Sequence, residues 1–167
     1  MKLDIRSWVP EDAAALAAQA NNPKISDNLR DGFPYPYTEE DAQFFINLAR
    51  CTHSERAWVR AITVGGQVAG GITLTFGEDV YRKSAELGFW LGERYWNQGI
   101  ATTAVERFCA RAFAETEIVR IQAEVLAINP GSIRVLEKNR FQREGYFCNR
   151  VCKHDRLIDS IVFALLK

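Results

Sequence analysis

The chain has 167 residues, of which 47% are hydrophobic and 25% are charged. This composition is typical of a folded globular protein and excludes a disordered chain or a bundle of membrane-spanning helices. Lysine plus arginine equal aspartate plus glutamate, 21 against 21, so no global positive charge attracts nucleic acid or an anionic membrane. We therefore expect one domain over residues 1–167, with no membrane and no direct nucleic-acid partner.

Two further features of composition concern compartment and metal. Residues 1–6 contain no apolar run typical of a signal peptide, so we expect a cytoplasmic protein. The four cysteines are scattered and are interpreted as reduced thiols. Cys148, Cys152 and His154 offer three zinc ligands, but a structural zinc site needs four and the sequence has no matching second pair. We therefore expect no bound metal.

The first part of the chain predicts a strand followed by two helices. Leu3–Trp8 alternates as a strand does, and a proline with first-turn acids then begins an alanine-rich helix. Residues 21–37, rich in Asn, Asp, Pro and Gly, predict an irregular connection with at most one short helical turn. A second helix is predicted from about Glu39 to Arg50, with Thr38 as its N-cap.

The rest of the chain predicts a hairpin and then alternating strands and helices. Ala57–Val64 and Gln67–Phe76 are joined by Gly65-Gly66, a strong hairpin signal. The later predicted elements are strand Glu86–Leu91, helix Ile100–Ala114, strand Val119–Leu126, helix Gly131–Lys138, and strands Phe141–Phe147 and Leu157–Leu166. This order predicts a mixed sheet with helices on both faces.

A strand, a short loop and a helix start meet at residues 86–104. The N-terminus of a helix leaves backbone N–H groups unpaired and carries partial positive charge, so it binds phosphate well. Gly99 lets the backbone approach an anion, and Ala101 keeps the first turn open. The segment lacks the glycine spacing of a Walker A loop and of the three-glycine dinucleotide motif. Locally, it is either a phosphate-binding loop or an ordinary turn from strand to helix.

The same residues resemble a known family. Glu86–Leu91 followed by Tyr95–Thr102 is similar to the acetyl-CoA-binding core of GNAT acetyltransferases, whose loop pattern is Gln/Arg-x-x-Gly-x-Gly/Ala. Arg120–Val125, Asn129–Ser132 and Val135–Asn139 are similar to the segments that follow in the family. The earlier elements also fall where the branch of ribosomal-protein N-terminal acetyltransferases has them, so the resemblance covers essentially the whole chain.

The sequence departs from the family pattern at two positions. Trp96 stands where the loop pattern begins with Gln or Arg. The usual Lys-x-Gly-Phe reads Lys138–Phe141, with Arg140 in place of glycine. A glycine there suits a left-handed backbone at the end of a helix, so we expect the turn to use Asn139 or another geometry.

The resemblance implies an α/β (α+β) GNAT fold, with a mixed, mostly antiparallel sheet of about seven strands, helices on both faces and a splayed central strand pair. It also implies acetyl-CoA as cosubstrate. The splayed strand would offer backbone groups to the pantetheine chain and the thioester carbonyl, and Asn129 would pair with a pantetheine amide. The predicted coenzyme-binding residues are Phe89, Trp90, Leu91, Asn97, Gln98, Gly99, Ile100, Ala101, Thr102 and Asn129.

Acetyl transfer to an amine requires a proton for the leaving thiolate and an acceptor for the amine proton. By resemblance, Ser132 is the candidate general acid, while its alternative role is a helix N-cap. Glu86 is the candidate proton acceptor, acting through water, and its alternative is a solvated carboxylate at a strand edge. An α-amino group titrates near ~7.7 to 8.0 and a lysine near ~10.4, so weak base machinery favours α-amines.

The acceptor itself is not encoded in a motif. The resemblance places the aromatic segment Phe33–Tyr37 beside the acceptor, although such residues also commonly cover a core. His53 and His154 lie in no nucleophile motif and are assigned no catalytic role. We expect an N-acetyltransferase acting on a protein N-terminus, a small amine or an amino sugar, as a homodimer by default. The alternatives are a non-catalytic acyl-CoA-binding module and a structural domain that binds no ligand.

Overall fold

The computed structural model describes residues 2–167. These residues form seven strands, five α-helices and three short 3₁₀ turns. The strands are β1 (Leu3–Ser7), β2 (Ala57–Val64), β3 (Gln67–Phe76), β4 (Ser84–Leu91), β5 (Arg120–Leu126), β6 (Gln142–Lys153) and β7 (Arg156–Leu166). The helices are α1 (Ala13–Ala20), α2 (Pro23–Ser26), α3 (Glu39–Cys51), α4 (Ile100–Glu115) and α5 (Pro130–Lys138).

The seven strands form one sheet in the order β1-β2-β3-β4-β5-β7-β6. Every neighbouring pair is antiparallel except β4 and β5, which run parallel. The parallel pairing joins only Ser84–Glu86 to Arg120–Gln122. Both strands continue beyond it, β4 to Leu91 and β5 to Leu126, and they diverge. The mixed sheet with a splayed central pair is therefore confirmed.

Helices cover both faces of the sheet, and each face has its own apolar core. On one face, α4 and α5 contribute Phe108 and Leu136, which pack against sheet residues such as Phe163. On the other face, α1 and α3 contribute Leu16 and Ile46. Full burial of a side chain of this size stabilises the fold by about 1.5 to 3 kcal/mol. The two cores fix the strands in place up to the point where β4 and β5 separate.

Local signals account for most element boundaries. Thr38 caps α3 reciprocally with Asp41: the Asp41 amide donates to the Thr38 hydroxyl (3.2 Å) and the Thr38 amide donates to the Asp41 carboxylate (2.8 Å). The β2–β3 hairpin has the predicted limits, and Gly65 and Gly66 both have positive φ (59° and 83°), as this turn type requires. The predicted short helical turn in residues 21–37 is α2.

The last hairpin was predicted too short. The sixth strand was expected to end at Phe147, but β6 continues to Lys153. Register shifts at Arg143/Gly145 and Phe147/Val151 interrupt its pairing with β7, and its side chains are almost all exposed at the edge of the sheet. The second half of β6 therefore lacks the alternation of apolar and polar residues by which a half-buried strand is predicted from a sequence.

The turn after α5 uses the second of the two expected geometries. Asn139 keeps a negative φ of −89°, and Arg140 itself takes the left-handed conformation with a φ of 64°. The Asn139 side chain instead donates to the carbonyl oxygens of Thr102 (3.2 Å) and Val135 (2.9 Å). Asn139 therefore ties the end of α5 to the first turn of α4.

Candidate active site

The loop between β4 and α4 is closed by side chains that bond back to it. The Trp96 indole N–H donates to the carbonyl of Leu91 (2.8 Å), and the Gln98 amide donates to the carbonyl of Arg94 (2.7 Å). Asn97 and Gly99 both have positive φ, 58° and 75°. The tryptophan that replaces Gln or Arg in the family pattern thus bridges the two ends of the loop.

The first turn of α4 presents backbone donors. Its first bond runs from the Thr103 amide to the Gly99 carbonyl (3.0 Å). Within residues 2–167, the amides of Ile100, Ala101 and Thr102 have no hydrogen-bond acceptor. A Cβ added at Gly99 would meet no atom within 4 Å, so glycine is needed here for its positive φ and not for space. These amides give the helix start the unpaired donors and partial positive charge that suit an anion.

A cleft of about 860 Å³ opens in front of this helix start and continues between the splayed strands. It lies on the α4 and α5 side, and we call it the coenzyme cleft. Nine of the ten predicted coenzyme-binding residues line it: Phe89, Trp90, Leu91, Asn97, Gly99, Ile100, Ala101, Thr102 and Asn129. Gln98 does not line it, because its side chain turns back to Arg94.

The hydrogen-bond phase of β4 decides which backbone groups face the splay. Bonds from Gly77 N to Ser84 O and from Gly92 N to Ala69 O, both 2.8 Å, show that even-numbered β4 residues bond to β3. The backbones of odd-numbered residues, such as Phe89 and Leu91, therefore turn towards β5, where pairing has ended. The expectation of free backbone groups thus applies to Phe89 and Leu91. The Trp90 backbone faces β3 in this phase, and the Trp90 ring packs against Phe33 on the α1 and α3 face of the sheet.

Three cationic side chains of the coenzyme cleft were missed at the sequence level. Arg134 and Lys138 lie one turn apart on α5, and no carboxylate within residues 2–167 lies within 4 Å of either charge. Lys24 of α2 also lines the cleft and is paired with Glu93. The i, i+4 spacing of Arg134 and Lys138 behind the Asn-x-x-Ser signature was the available signal.

Asn129, and not Ser132, is the N-cap of α5. The Ser132 amide donates to Asn129 Oδ1 (3.1 Å), and Asn129 Nδ2 donates to Ser132 Oγ (3.0 Å). The N-cap alternative for Ser132 is therefore wrong, because the helix begins at Pro130 and Ser132 is its third residue. Since the Ser132 hydroxyl accepts from Asn129, its own proton remains available for donation into the cleft.

A second cleft, of about 830 Å³, lies on the α1 and α3 face of the same strands, and we call it the acceptor cleft. Glu86 and Glu124 lie on its floor, on β4 and β5, and Phe33 and Phe45 are among its walls. Arg30 Nη2 lies 2.8 Å from Glu86 Oε1. Glu86 is therefore not a simply solvated carboxylate, although 45% of its side chain is exposed.

Glu124 is a second carboxylate that sequence reasoning missed. Burial alone raises its pKa, but hydrogen bonds from Ser160 Oγ (2.6 Å) and Arg150 Nε (2.8 Å) outweigh burial and the pKa is lowered. Because Glu86 pairs with Gln122 in the parallel ladder, alternation puts Glu124 on the same face as Glu86. That deduction requires the strand register, which the sequence does not supply.

The aromatic segment Phe33–Tyr37 is partly buried and partly lines the second cleft. Tyr37 is buried, and its pKa is raised to about 12, mainly by burial. Phe33 packs against Tyr37 and Trp90, with ring centroids 4.9 and 5.4 Å apart, and it lines the acceptor cleft. Tyr35 is exposed. Three of its five residues, Phe33, Pro34 and Tyr37, therefore form part of the wall of the acceptor cleft.

Metal and membrane features are absent from the described part of the chain. Across residues 2–167, no three His, Cys, Asp or Glu side chains come together as a metal site. His154 instead lies 2.9 Å from a carboxylate oxygen of Asp27. No helix in that range is long and apolar enough to cross a bilayer.

Comparison with known proteins identifies the family. A family model for the acetyltransferase (GNAT) domain matches residues 2–142. The chain is 27% identical over 168 residues to the uncharacterized N-acetyltransferase YnaD of Bacillus subtilis (strain 168), covering 99% of this chain and 94% of YnaD. It is 37% identical over 83 residues to the uncharacterized N-acetyltransferase p20 of Bacillus licheniformis, covering 50% of this chain and 47%, about half, of p20.

Solved structures show the same fold. RimL, a ribosomal L7/L12 alpha-N-protein acetyltransferase in complex with coenzyme A, superposes with a TM-score of 0.89 at 21% identity, covering 99% of this chain and 94% of RimL. At that identity the likeness concerns the fold alone, and the family assignment rests on the match over residues 2–142. The chain therefore belongs to the acetyltransferase (GNAT) domain family and is an N-acetyltransferase by class.

Proposed function

We propose that the chain transfers an acetyl group from acetyl-CoA to a primary amine by direct attack of the amine on the thioester. The observation that carries this proposal is the pair of clefts on opposite faces of the splayed strands. Phe89 and Trp90 line both clefts, so a donor in one and an acceptor in the other meet at the same residues. Direct transfer requires such a meeting point.

The coenzyme cleft fits acetyl-CoA at three levels. The unpaired amides of Ile100–Thr102 suit a pyrophosphate. The backbone groups of Phe89 and Leu91 suit the amides of pantetheine and the thioester carbonyl. Arg134 and Lys138 supply positive charge for a further phosphate. Asn129 is hydrogen-bonded to Ser132 and holds the start of α5 at the edge of the cleft.

The proton steps are assigned to two side chains. Ser132 donates the proton of its hydroxyl towards the leaving thiolate, since Asn129 holds that hydroxyl as an acceptor. Glu86, on the floor of the acceptor cleft, receives the proton of the amine through water. Two roles are thus supplied from two faces of the sheet, and no further group is required for transfer.

For the acceptor we propose an α-amine at a protein or peptide N-terminus. RimL, which shares the fold, is by its printed name an alpha-N-protein acetyltransferase. An α-amine is substantially neutral near pH 8, whereas a lysine amine is not, so a water-relayed carboxylate suffices for the first and not for the second. The acceptor cleft is also open at its rim, where Phe44 and Leu48 are exposed, and admits a chain.

A thermal unfolding scan with and without acetyl-CoA tests the coenzyme site. Ligand at about a hundred times its Kd stabilises the chain by ~2.7 kcal/mol, which raises Tm by about 5 to 10 °C at this size. Gly99→Glu places a carboxylate at the helix start and should abolish the shift. Gly65→Glu is the matched control, because Gly65 also has positive φ and open space but lies in the β2–β3 turn. Loss of the shift in both variants, or in neither, contradicts the site.

Turnover separates a transferase from a non-catalytic acyl-CoA-binding module. Release of the coenzyme thiol is measured with a peptide bearing a free α-amine and with an Nα-blocked peptide bearing one lysine. We expect faster release with the first peptide. A Tm shift without release on any amine supports the binding module, and faster release with the lysine peptide contradicts the proposed acceptor class.

A further inference from the structure

A five-residue segment separates the two clefts. Residues 27–31 follow α2, and we call them the strap. Asn28 and Leu29 of the strap line both the coenzyme cleft and the acceptor cleft. Arg30 reaches from the strap to Glu86, the candidate proton acceptor. The position of the strap therefore determines where the wall between the clefts lies. It also determines whether Arg30 can reach Glu86.

The contact between Arg30 and Glu86 does not by itself fix the strap. The side chains are 87% and 45% exposed, and an ion pair this exposed contributes little stability. The backbone amides of the strap make only turn bonds to α2, such as Leu29 N to Ser26 O (3.1 Å). The contact of Asp27 with His154 (2.9 Å) is also exposed, at 49% and 71% of the two side chains, and so adds little. An anchor from elsewhere in the fold must hold the far end.

Lys153 supplies this anchor from the other end of the chain. Its side chain is only 7% exposed, and Nζ donates to the carbonyl of Leu29 (2.8 Å) and to Asp31 Oδ1 (2.9 Å). A buried ammonium group is costly unless it is hydrogen-bonded, so this geometry is specific. The tight turn at His154 and Asp155, which both have positive φ, ends β6 directly after Lys153. No role in the proposed chemistry explains this buried cation.

The coenzyme end is anchored independently. Asn22 caps α2 by accepting from the Lys24 amide (2.9 Å), and Asn22 Nδ2 donates to Glu93 (2.7 Å). Lys24 is ion-paired with the same Glu93, which lies in the turn after β4. Lys153 acts on residues 29–31, and Glu93 acts on residues 22–24.

We propose that Lys153 is a positioning residue for the acceptor half of the site: it holds Leu29 in the wall between the clefts and thereby places Arg30 against Glu86. This inference rests on the proposed function, since it assigns the second cleft to the acceptor amine. It predicts that the two anchors affect different substrates. Loss of Lys153 weakens use of the amine, and loss of Glu93 weakens use of acetyl-CoA.

Steady-state kinetics with the free α-amine peptide and acetyl-CoA tests the division. We expect Lys153→Met to raise KM for the peptide about tenfold and to leave KM for acetyl-CoA within twofold. Lys153→Arg retains enough N–H donors for both hydrogen bonds, so KM for the peptide should return most of the way to the wild-type value. Glu93→Ala should show the reverse division. Equal effects of Lys153→Met on both KM values, or no recovery in Lys153→Arg, overturn the proposal as a purely structural effect.

Hydrogen exchange in the absence of any acceptor decides the anchor separately from the proposed function. The Leu29 and Phe33 amides, which donate to Ser26 O and Arg30 O, should exchange at least tenfold faster in Lys153→Met than in wild type and Lys153→Arg. Unchanged exchange overturns the proposal even if the peptide is acetylated. Faster exchange together with no acetylation of any amine leaves the anchor standing and contradicts the proposed function instead.

Discussion

The two clefts are built in different ways, although they share the same strands. The coenzyme cleft is formed largely by two continuous stretches, residues 89–102 and 128–138, in which each local signal supports the next. The acceptor cleft combines Arg30, Glu86, Glu124 and Arg150, which come from four separate parts of the chain. A site made of continuous segments is held by secondary structure, whereas a site made of distant residues is held by their cross-contacts. The first is expected to resist substitutions outside its loop, and the second is not.

The largest expected effect is at the acid on the coenzyme side. Ser132→Ala should lower kcat about 100-fold, the lower end for loss of a proton donor, with KM for acetyl-CoA nearly unchanged. The helix should persist, because Asn129 caps it through the Ser132 amide, which alanine retains. Steady-state kinetics checks the split between kcat and KM. Ser132→Thr retains a hydroxyl and should recover part of kcat, and an unaffected kcat in Ser132→Ala would remove Ser132 from the mechanism.

A smaller effect is expected at the base on the acceptor side. Glu86→Gln should lower kcat/KM for the α-amine peptide about tenfold, because an amine that is already partly neutral depends weakly on a base. The loss should be deepest at low pH, where more of the amine is protonated. A kcat/KM profile between about pH 6 and 9 tests this. A loss that is uniform over that range indicates a steric role for Glu86 instead.

Glu124 should affect stability more than chemistry. Its folded-state pKa is lowered, so its contribution is present above the unfolded value near ~4.3 and is lost as pH falls through the folded value. Glu124→Gln should cost about 1 kcal/mol at pH 7, since it weakens two charge-assisted hydrogen bonds at a partly exposed site. Urea unfolding at pH 7 and pH 3 measures the difference between the variants. The cost should be smaller at pH 3, and a cost that is equal at both pH values contradicts the assigned bonds.

The smallest expected effect lies behind the coenzyme cleft. Arg140 has a φ of 64°, a conformation that glycine adopts more easily than arginine. Arg140→Gly should therefore stabilise the chain by about 0.5 to 1 kcal/mol, which is the strain relieved less the extra entropy of the unfolded chain. Thermal unfolding without ligand measures it. A lower Tm in the variant would show that the Arg140 side chain contributes more than its backbone costs.

The contrast between the clefts also explains what was predictable. Some features depend only on residues that are adjacent in the chain, and each of them was predicted. They are the hairpin, the α3 cap, the loop at Gly99 and the Asn-x-x-Ser signature at Asn129. The resemblance supplied the splayed strand pair. Glu124 and Lys153 were missed because their relevance depends on strand register and on a contact with residues 29–31 from the far end of the chain. The length of β6 was missed because two register shifts on an exposed edge interrupt the alternation.

The backbone direction in β4 marks the limit of the resemblance. The resemblance indicated Phe89, Trp90 and Leu91 together. In a strand, however, the N–H and C=O groups of successive residues point to opposite neighbours, so only those of Phe89 and Leu91 face the splay. Of these, the Leu91 carbonyl is already bonded to the Trp96 indole. The Phe89 amide and carbonyl and the Leu91 amide are therefore the groups to observe when the coenzyme binds.

Residue-resolved hydrogen exchange with and without acetyl-CoA tests the central claim most directly. The amides of Ile100, Ala101 and Thr102 have no acceptor within residues 2–167 and should exchange rapidly in the free chain. Addition of acetyl-CoA should protect these three amides together with Phe89 and Leu91. Protection elsewhere, with residues 100–102 still exchanging rapidly, would contradict the assignment of the α4 N-terminus as the coenzyme site.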